Sequence, residues 1–202
     1  MVELALLGLA VFVLNVIPAF APPTWVAVSL FGLRYHDANP LALAAVAAPA
    51  ATAGRIVLAK LSTRIVRNKL LSDATRANVD VVRKWLEKKA AATAGATLVF
   101  AFSPFPSNTL FIAYGLTSLR LRFVAPPFLV GRFLSYAGWS WAARSLASHL
   151  SVTRRDPRAF LNGYFVVGQL AGIAVLILAM RLDWAALIGE HKIRFLRRGT
   201  RP

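Results

Sequence analysis

The sequence predicts an all-α integral membrane protein, an inverted repeat of a re-entrant helix hairpin plus a transmembrane helix, with an extra C-terminal transmembrane helix. The first observation is composition: 57% of the 202 residues are hydrophobic and 16% are charged, whereas a soluble domain carries about a quarter charged residues. Second, the apolar stretches show no long alternation, which disfavours an outer-membrane barrel. Third, two proline-rich breaks interrupt apolar stretches in the same way. Together these observations favour helices in lipid, where backbone polar groups need internal partners.

The net charge of +16 has two possible readings, nucleic acid or an anionic membrane surface. In a chain this apolar, cationic loops facing an anionic cytoplasmic leaflet explain the charge better. We therefore expect no nucleic-acid partner. The chain has no cysteine, which excludes disulfides and thiolate chemistry. Residues 4–13 and the following small residues imitate a signal peptide, but no Lys or Arg precedes them and Pro22 would follow the cut, so we expect this segment to be retained.

The two proline-rich breaks belong to an ordered set of short motifs that occurs twice. Each break is followed at the same distance by an aromatic-Gly-Leu triplet, and each half then contains an Ala-Pro pair followed by a Gly-Arg pair at the same spacing. Such a recurrence predicts an internal repeat. The members are Pro22, Pro23, Phe31-Gly32-Leu33, Ala48-Pro49 and Gly54-Arg55 in the first half, and Pro104, Pro106, Tyr114-Gly115-Leu116, Ala125-Pro126 and Gly131-Arg132 in the second.

The breaks are predicted to turn each apolar segment back on itself. As one straight helix, residues 4–33 would run about 45 Å, against a hydrocarbon core of about 30 Å. Proline lacks a backbone donor and clashes with the preceding turn, so the helix is expected to stop near 18–22. Thr24 in one half, and Ser107 or Asn108 in the other, are candidate caps of a new helix. A pair of kinked helices that span the membrane remains an alternative.

The distribution of cations separates these two topologies. If both hairpins are re-entrant, one face of the membrane carries 16 of the lysines and arginines outside the spans and the other carries 5. If both hairpins span, the best division is 12 against 9. The re-entrant topology is favoured, with 63–90 and the C-terminal tail cytoplasmic, and 34–40 and 144–158 outside. Hairpin one then enters from outside and hairpin two from the cytoplasm.

This topology divides the single membrane domain 1–202 into consecutive segments. They are repeat one at 3–62, a cytoplasmic basic segment at 63–90, repeat two at 91–145, and a C-terminal span with a basic tail at 159–202. Full spans are expected near 41–62, 121–143 and 159–181. The basic segment is either an interfacial amphipathic helix or a solvated loop that contains a helix.

Residues 98–136 resemble the second half of the DedA / VTT-domain (SNARE-associated Golgi protein) family, and residues 15–60 resemble its first half. The motifs that carry the resemblance are Phe102-Ser103-Pro104, Ala113-Tyr114-Gly115-Leu116, Leu121-Arg122-Phe123 and Gly131-Arg132. The resemblance implies two oppositely oriented re-entrant hairpins and movement of lipids or lipid phosphates between leaflets. It also marks a divergent member, because Asn15, Thr24 and Trp25 stand where the family commonly has acidic residues, and the usual arginines beside the second break are absent.

Arg55 and Arg132 are the central candidates for a binding site. Each lies deep in a predicted span, where an arginine costs at least about 2.5–3.5 kcal/mol and needs a partner. Two new helix N-termini, with their free N–H groups, are expected at the same depth. We predict a lipid-phosphate site formed by Arg55, Arg132, Thr24, Ser107 and Asn108. The alternative is that each arginine binds carbonyls freed by the proline breaks.

The sequence therefore favours a transbilayer transporter, scramblase-like or flippase-like, for an anionic lipid such as a polyprenyl phosphate or a phospholipid. No catalytic residues, metal site or cofactor are expected, and the protein is not predicted to be an enzyme. The expected partners are anionic membrane lipids, with an oligomer possible, in the cytoplasmic membrane of a bacterium and with a cytoplasmic C-terminus. Two alternatives remain: a membrane-embedded assembly protein, and an exporter of small solutes.

Overall fold

A computed structural model of the chain describes residues 2–35, 38–102, 107–149, 163–190 and 195. These residues form helices joined by short connections, and the one extended pairing among them is an isolated bridge between Leu182 and Phe195. The helices are α1 Val2–Val16, α2 Thr24–Arg34, α3 Pro40–Leu61 with a π-helical continuation Ser62–Leu70, α4 Asp73–Lys88, α5 Ala90–Phe102, α6 Asn108–Leu116, a 3₁₀ turn Leu121–Phe123, α7 Ala125–His149, α8 Gly163–Arg181 and α9 Trp184–Glu190. The all-α prediction is confirmed for the described part of the chain.

The first break is present but begins earlier than predicted, since the helix was expected to stop near 18–22 and stops at residue 16. Helix α1 ends at Val16 and α2 begins at Thr24, with Pro22 and Pro23 in the connection. Phe20 in this connection has a positive φ of 60°, an uncommon conformation for an aromatic residue that helps to reverse the chain. The predicted cap is wrong: Pro23 is the N-cap residue and no side chain caps α2. In the second break, residues 103–106, with Pro104 and Pro106, lie outside the described residues.

Hairpin one, formed by α1 and α2, starts and ends beside the N-terminal end of α3. A Cβ on Gly8 would lie 3.2 Å from Val46, and one on Gly54 would lie 2.6 Å from the carbonyl oxygen of Phe12. Helix α1 therefore runs parallel to α3 as far as its middle. On the way back, a Cβ on Gly32 would lie 3.2 Å from Leu43, so α2 returns to the end at which α1 began.

Hairpin two, formed by α5 and α6, approaches from the opposite end of α3. Helix α6 begins beside Arg55, where Ser107 accepts a hydrogen bond at 3.0 Å. It ends beside the π-helical segment, where the Thr63 hydroxyl donates to the carbonyl oxygen of Gly115 at 2.7 Å. The two hairpins thus reach the middle of α3 from its two ends.

Helices α3 and α7 form the antiparallel centre of the molecule. The level of Arg55 on α3 matches that of Arg132 on α7, since both donate to Ser107. Towards the other end, Leu43 of α3 and Ser140 of α7 both lie within 4 Å of a Cβ position on Gly32. Helix α1 packs along α3 and α5 along α7, whereas α2 packs on α7 and α6 on α3. Each hairpin is therefore shared between the two central helices.

Two glycines make the same close crossing in the two halves. A Cβ on Gly54 would lie 2.6 Å from the Phe12 carbonyl oxygen, and one on Gly131 would lie 2.7 Å from the Leu98 carbonyl oxygen. Only a residue without a Cβ lets the two backbones approach so closely. These glycines directly precede Arg55 and Arg132. Each crossing therefore positions an arginine beside the end of a hairpin that lies at the middle of α3, which we call the inner end of that hairpin.

The basic segment 63–90 is helical along most of its length. Arg67 of the π-helical segment is buried; it donates to the carbonyl oxygen of Leu116 at 2.7 Å and to both carboxylate oxygens of Asp80 at 2.9 and 3.0 Å. Asn78 of α4 donates to the carbonyl oxygen of Leu182 and accepts from the N–H of Trp184. These bonds attach α4 both to the outer end of hairpin two and to the last described helix.

Large apolar side chains cover much of the surface, α1 above all, where Val2, Leu6, Leu9 and Val13 are 74%, 59%, 60% and 49% exposed. Within the described residues, one continuous helix, Pro40–Leu70, is long and apolar enough to cross a membrane by its length and composition. Helices α1, α2 and α5 are apolar but shorter. These features are compatible with the predicted membrane protein, and Pro40–Leu70 is the candidate span among the described residues.

Candidate functional site

Two buried arginines converge on one serine hydroxyl at the centre of the molecule. Arg55 Nε donates to Ser107 Oγ at 3.0 Å, and Arg132 Nη2 donates to the same oxygen at 3.1 Å. Arg55 is 6% exposed, Arg132 is 3% exposed and Ser107 is fully buried. Residues that are 52 and 25 positions from Ser107 in the chain thus meet at one oxygen atom.

Arg55 also contacts the inner end of hairpin one. Its Nη1 donates to the carbonyl oxygen of Asn15 at 3.1 Å, and Asn15 is the penultimate residue of α1. The last carbonyls of a helix lack intrahelical donors, so the guanidinium supplies a partner that the broken helix needs. This contact corresponds to the structural alternative considered for the arginines from the sequence.

Arg132 is held between aromatic rings of its own helix. Its guanidinium carbon lies 5.3 Å from the ring centre of Phe128 and 5.8 Å from that of Tyr136. Both residues are one helical turn away and fully buried, so their rings stabilise the cation by cation–π attraction. Helix α7 itself therefore provides part of the environment that this buried charge requires.

The structure places the other predicted site residues at different distances from this centre. Ser107 is the N-cap residue of α6, but its side chain does not cap the helix; it accepts from the arginines instead. Asn108 Nδ2 donates to the carbonyl oxygen of Pro18 at 2.7 Å, which joins the two hairpins at their inner ends. The Thr24 hydroxyl bonds to Tyr136 Oη at 2.7 Å, so Thr24 adjoins the arginines through that tyrosine.

The electrostatics of this centre favour an anion. Two cations share a neutral oxygen, and the ranges 40–61, 90–102, 108–116 and 125–149, which form α3, α5, α6 and α7, contain no Asp or Glu. The N-terminus of α6 adds the positive end of a helix dipole. Two like charges in a low-dielectric interior repel each other, and a shared anion would relieve that repulsion.

Further polar groups near the arginines lack partners among the described residues. They are Asn15 Oδ1 and Ser135 Oγ, which belong to residues that are fully and nearly fully buried. Asn15 contacts Arg55 through its carbonyl, and Ser135 is three residues from Arg132 on α7. Since buried polar groups in native proteins are nearly always satisfied, these atoms favour water or a ligand oxygen at the centre.

Two contributors to the site were not predicted from the sequence. Tyr136 lies four residues after Arg132, and this helical spacing could have placed it on the same face. Asn15 was noted as a departure from the family pattern only, and its backbone carbonyl, which does the binding, carries no sequence signal. The Gly-Arg pairs were the most informative signal, because they marked the position of both arginines.

One cavity among the described residues, of about 470 Å³, lies away from the arginine pair. Its lining is apolar and includes Pro40, Leu41 and Trp141. Pro40 is the first residue of α3, and 15 helical residues before Arg55 correspond to roughly 20 Å. This groove is therefore not the predicted phosphate site.

Fold and site together define a helical protein in which two hairpins meet over a buried arginine pair. Comparisons with protein-family models, with curated proteins and with solved structures found no match. The resemblance to the DedA / VTT-domain family therefore stays a prediction from the short motifs that carry it.

Proposed function

We propose that the chain is an integral membrane protein whose halves are an inverted repeat. The antiparallel arrangement of α3 and α7, the approach of the hairpins from opposite ends and the repeated crossings at Gly54 and Gly131 support this proposal. Antiparallel helices that both cross a bilayer are related by a two-fold axis in the membrane plane. The exposed apolar surface of α1 is then in contact with lipid.

This topology predicts opposite accessibility for two cysteine variants. His36→Cys, between α2 and α3, is expected to react with an impermeant maleimide from outside the cell. Lys84→Cys, on the exposed side of α4, is expected to react only after the membrane is opened. The parent chain has no cysteine and serves as the unlabelled control. Labelling of both positions from the same side would contradict the topology.

Within this fold, transbilayer transport of an anionic lipid is the function that the site supports best. The convergence of Arg55 and Arg132 on Ser107 Oγ carries this proposal. A phosphate oxygen in place of the serine hydroxyl would receive charge-assisted hydrogen bonds from both guanidinium groups. The headgroup would pass between the inner ends of the hairpins while the acyl or polyprenyl tail remains in the bilayer.

One contact favours a second candidate, a membrane-embedded assembly protein with structural arginines. The bond from Arg55 to the carbonyl oxygen of Asn15 satisfies a helix end without any ligand. In that case the arginine pair would join the hairpins permanently, and no lipid would enter between them.

The proposed function is tested with the purified full chain in vesicles that carry labelled phosphatidylglycerol. Vesicles that carry a labelled neutral diacylglycerol lipid are the comparison. Loss of fluorescence after an impermeant quencher reports movement from the inner leaflet. We expect the protein to accelerate movement of the anionic lipid above the rate in protein-free vesicles. No acceleration would favour the assembly protein. Release of an entrapped small solute without lipid movement would favour an exporter.

A further inference from the structure

Tyr136 attaches hairpin one to α7 directly beside the arginine pair. Its hydroxyl and that of Thr24 are 2.7 Å apart, and its ring centre is 5.8 Å from the Arg132 guanidinium. Tyr136 is fully buried and Thr24 is 7% exposed. Because Thr24 is the first residue of α2, this bond holds the inner end of the returning helix against α7.

The corresponding position in the other half has different chemistry. Tyr136 lies four residues after Arg132, and the residue four positions after Arg55 is Ala59, which has no hydroxyl. In the described part of the chain, no tyrosine takes the hydroxyl of Ser107, just before α6, and this hydroxyl accepts hydrogen bonds from both arginines. In hairpin one, α1 is therefore bound by Arg55 through the Asn15 carbonyl, whereas α2 is bound to α7 by a neutral hydroxyl pair. The start of α6 in hairpin two is bound by both cations of the site.

We propose that Tyr136 is a gating residue that closes the arginine site on the side of hairpin one. This inference rests on the proposed function of the arginine pair. An anion that binds Arg55 and Arg132 replaces Ser107 as their acceptor and so frees the start of α6 from both arginines. The bond between Tyr136 and Thr24 involves neither arginine and stays closed during that step. The site then opens to one side of the membrane at a time, as a transporter requires.

The test uses Tyr136→Phe in the full chain, with Ser29→Cys on α2 as the reporter. Ser29 is 8% exposed and its hydroxyl has no partner among the described residues, so the reporter removes no hydrogen bond. Tyr136→Phe is expected to raise the rate of maleimide labelling about fivefold, the change that loss of one net hydrogen bond of about 1 kcal/mol produces. Thr24→Val removes the same bond from the other partner and should give the same increase.

Tyr114→Phe is the matched control, since it also removes a buried tyrosine–threonine bond. The Tyr114 and Thr97 hydroxyls are 2.8 Å apart, but both belong to hairpin two, so this change does not free hairpin one from α7. Labelling of the Ser29→Cys reporter should remain at the parent rate. An equal increase in Tyr136→Phe and Tyr114→Phe, or no increase in Tyr136→Phe and Thr24→Val, would overturn the gate.

Labelling requires no lipid movement, so this result is independent of the transport assay. In that assay, Tyr136→Phe should raise the rate of anionic-lipid movement at least twofold, because one barrier is weakened. If labelling increases in Tyr136→Phe and Thr24→Val only, but the protein moves no lipid, the proposed function is refuted and the Tyr136–Thr24 bond has a structural role alone. Unchanged labelling in a protein that moves lipid would refute the gate alone.

Discussion

Arg55→Gln and Arg132→Gln are each expected to slow movement of anionic lipid at least tenfold in reconstituted vesicles. A hydrogen bond to a charged group contributes about 1.5–3 kcal/mol, and glutamine keeps a donor but loses the charge. Arg→Lys should impair transport less than Arg→Gln without full recovery, since lysine keeps the charge but lacks the planar fork of donors. Lipid movement is measured as the rate at which labelled anionic lipid from the inner leaflet becomes accessible to the impermeant quencher.

Arg120→Gln is the control for these variants. The Arg120 side chain is 62% exposed, and its Nε lies 3.7 Å from a carboxylate oxygen of Glu87. The Arg120→Gln variant therefore loses one positive charge, as the site variants do, but away from the arginine pair. It should move lipid at the parent rate. If both site variants insert, fold and still move lipid at the parent rate, the arginines have a structural role and the phosphate site is wrong. A loss of thermal stability in both, with no ligand effect, would also favour the structural role.

Gly131→Ala is expected to melt well below the temperature at which the parent protein melts, and Gly54→Ala likewise. The new Cβ on Gly131 would lie 2.7 Å from the carbonyl oxygen of Leu98, a backbone atom that cannot rotate away. Helix α7 would have to move from α5, and such overpacking typically costs about 1–3 kcal/mol. The effect is measured as the temperature at which the detergent-solubilised protein loses its monodisperse elution peak.

Gly138→Ala on the same helix is the matched control. A Cβ there meets nothing within 4 Å, and alanine is a better helix former than glycine by roughly 0.8–1 kcal/mol. Gly138→Ala should therefore melt at or above the parent temperature, while Gly131→Ala melts well below it. Equal melting temperatures for the two variants would contradict the close crossing of α5 and α7.

Much of the helix pattern could be predicted from short-range signals. The all-α class follows from apolar stretches without alternation. The break after α1 follows from prolines that cannot continue a helix, although α1 ends at Val16, before the predicted 18–22. The predicted span 41–62 coincides closely with α3, Pro40–Leu61. The π-helical turn geometry of 62–70 and the short helix α9 were not predicted, because both depend on contacts with residues distant in the chain.

For the candidate site, the sequence indicated several of the residues but few of their contacts. Arg55 and Arg132 both donate to Ser107, whereas neither Thr24 nor Ser107 caps its helix with its side chain. The helix-capping rule fails at both residues because their hydroxyls bond to residues of other helices instead. For Thr24 that partner is Tyr136, 112 residues away, and for Ser107 it is a pair of guanidinium groups.

The sequence by itself determined where the helices break and which glycines precede the arginines. It also determined that the helices of Arg55 and Arg132 carry no acidic residue. These properties depend on residue type and on spacings of a few residues, so they can be read without a fold. Only the tertiary structure decided that both arginines share one serine oxygen and that Tyr136 takes the hydroxyl of Thr24. Such choices depend on distances between remote helices, where a difference of 1 or 2 Å decides which donor reaches which acceptor.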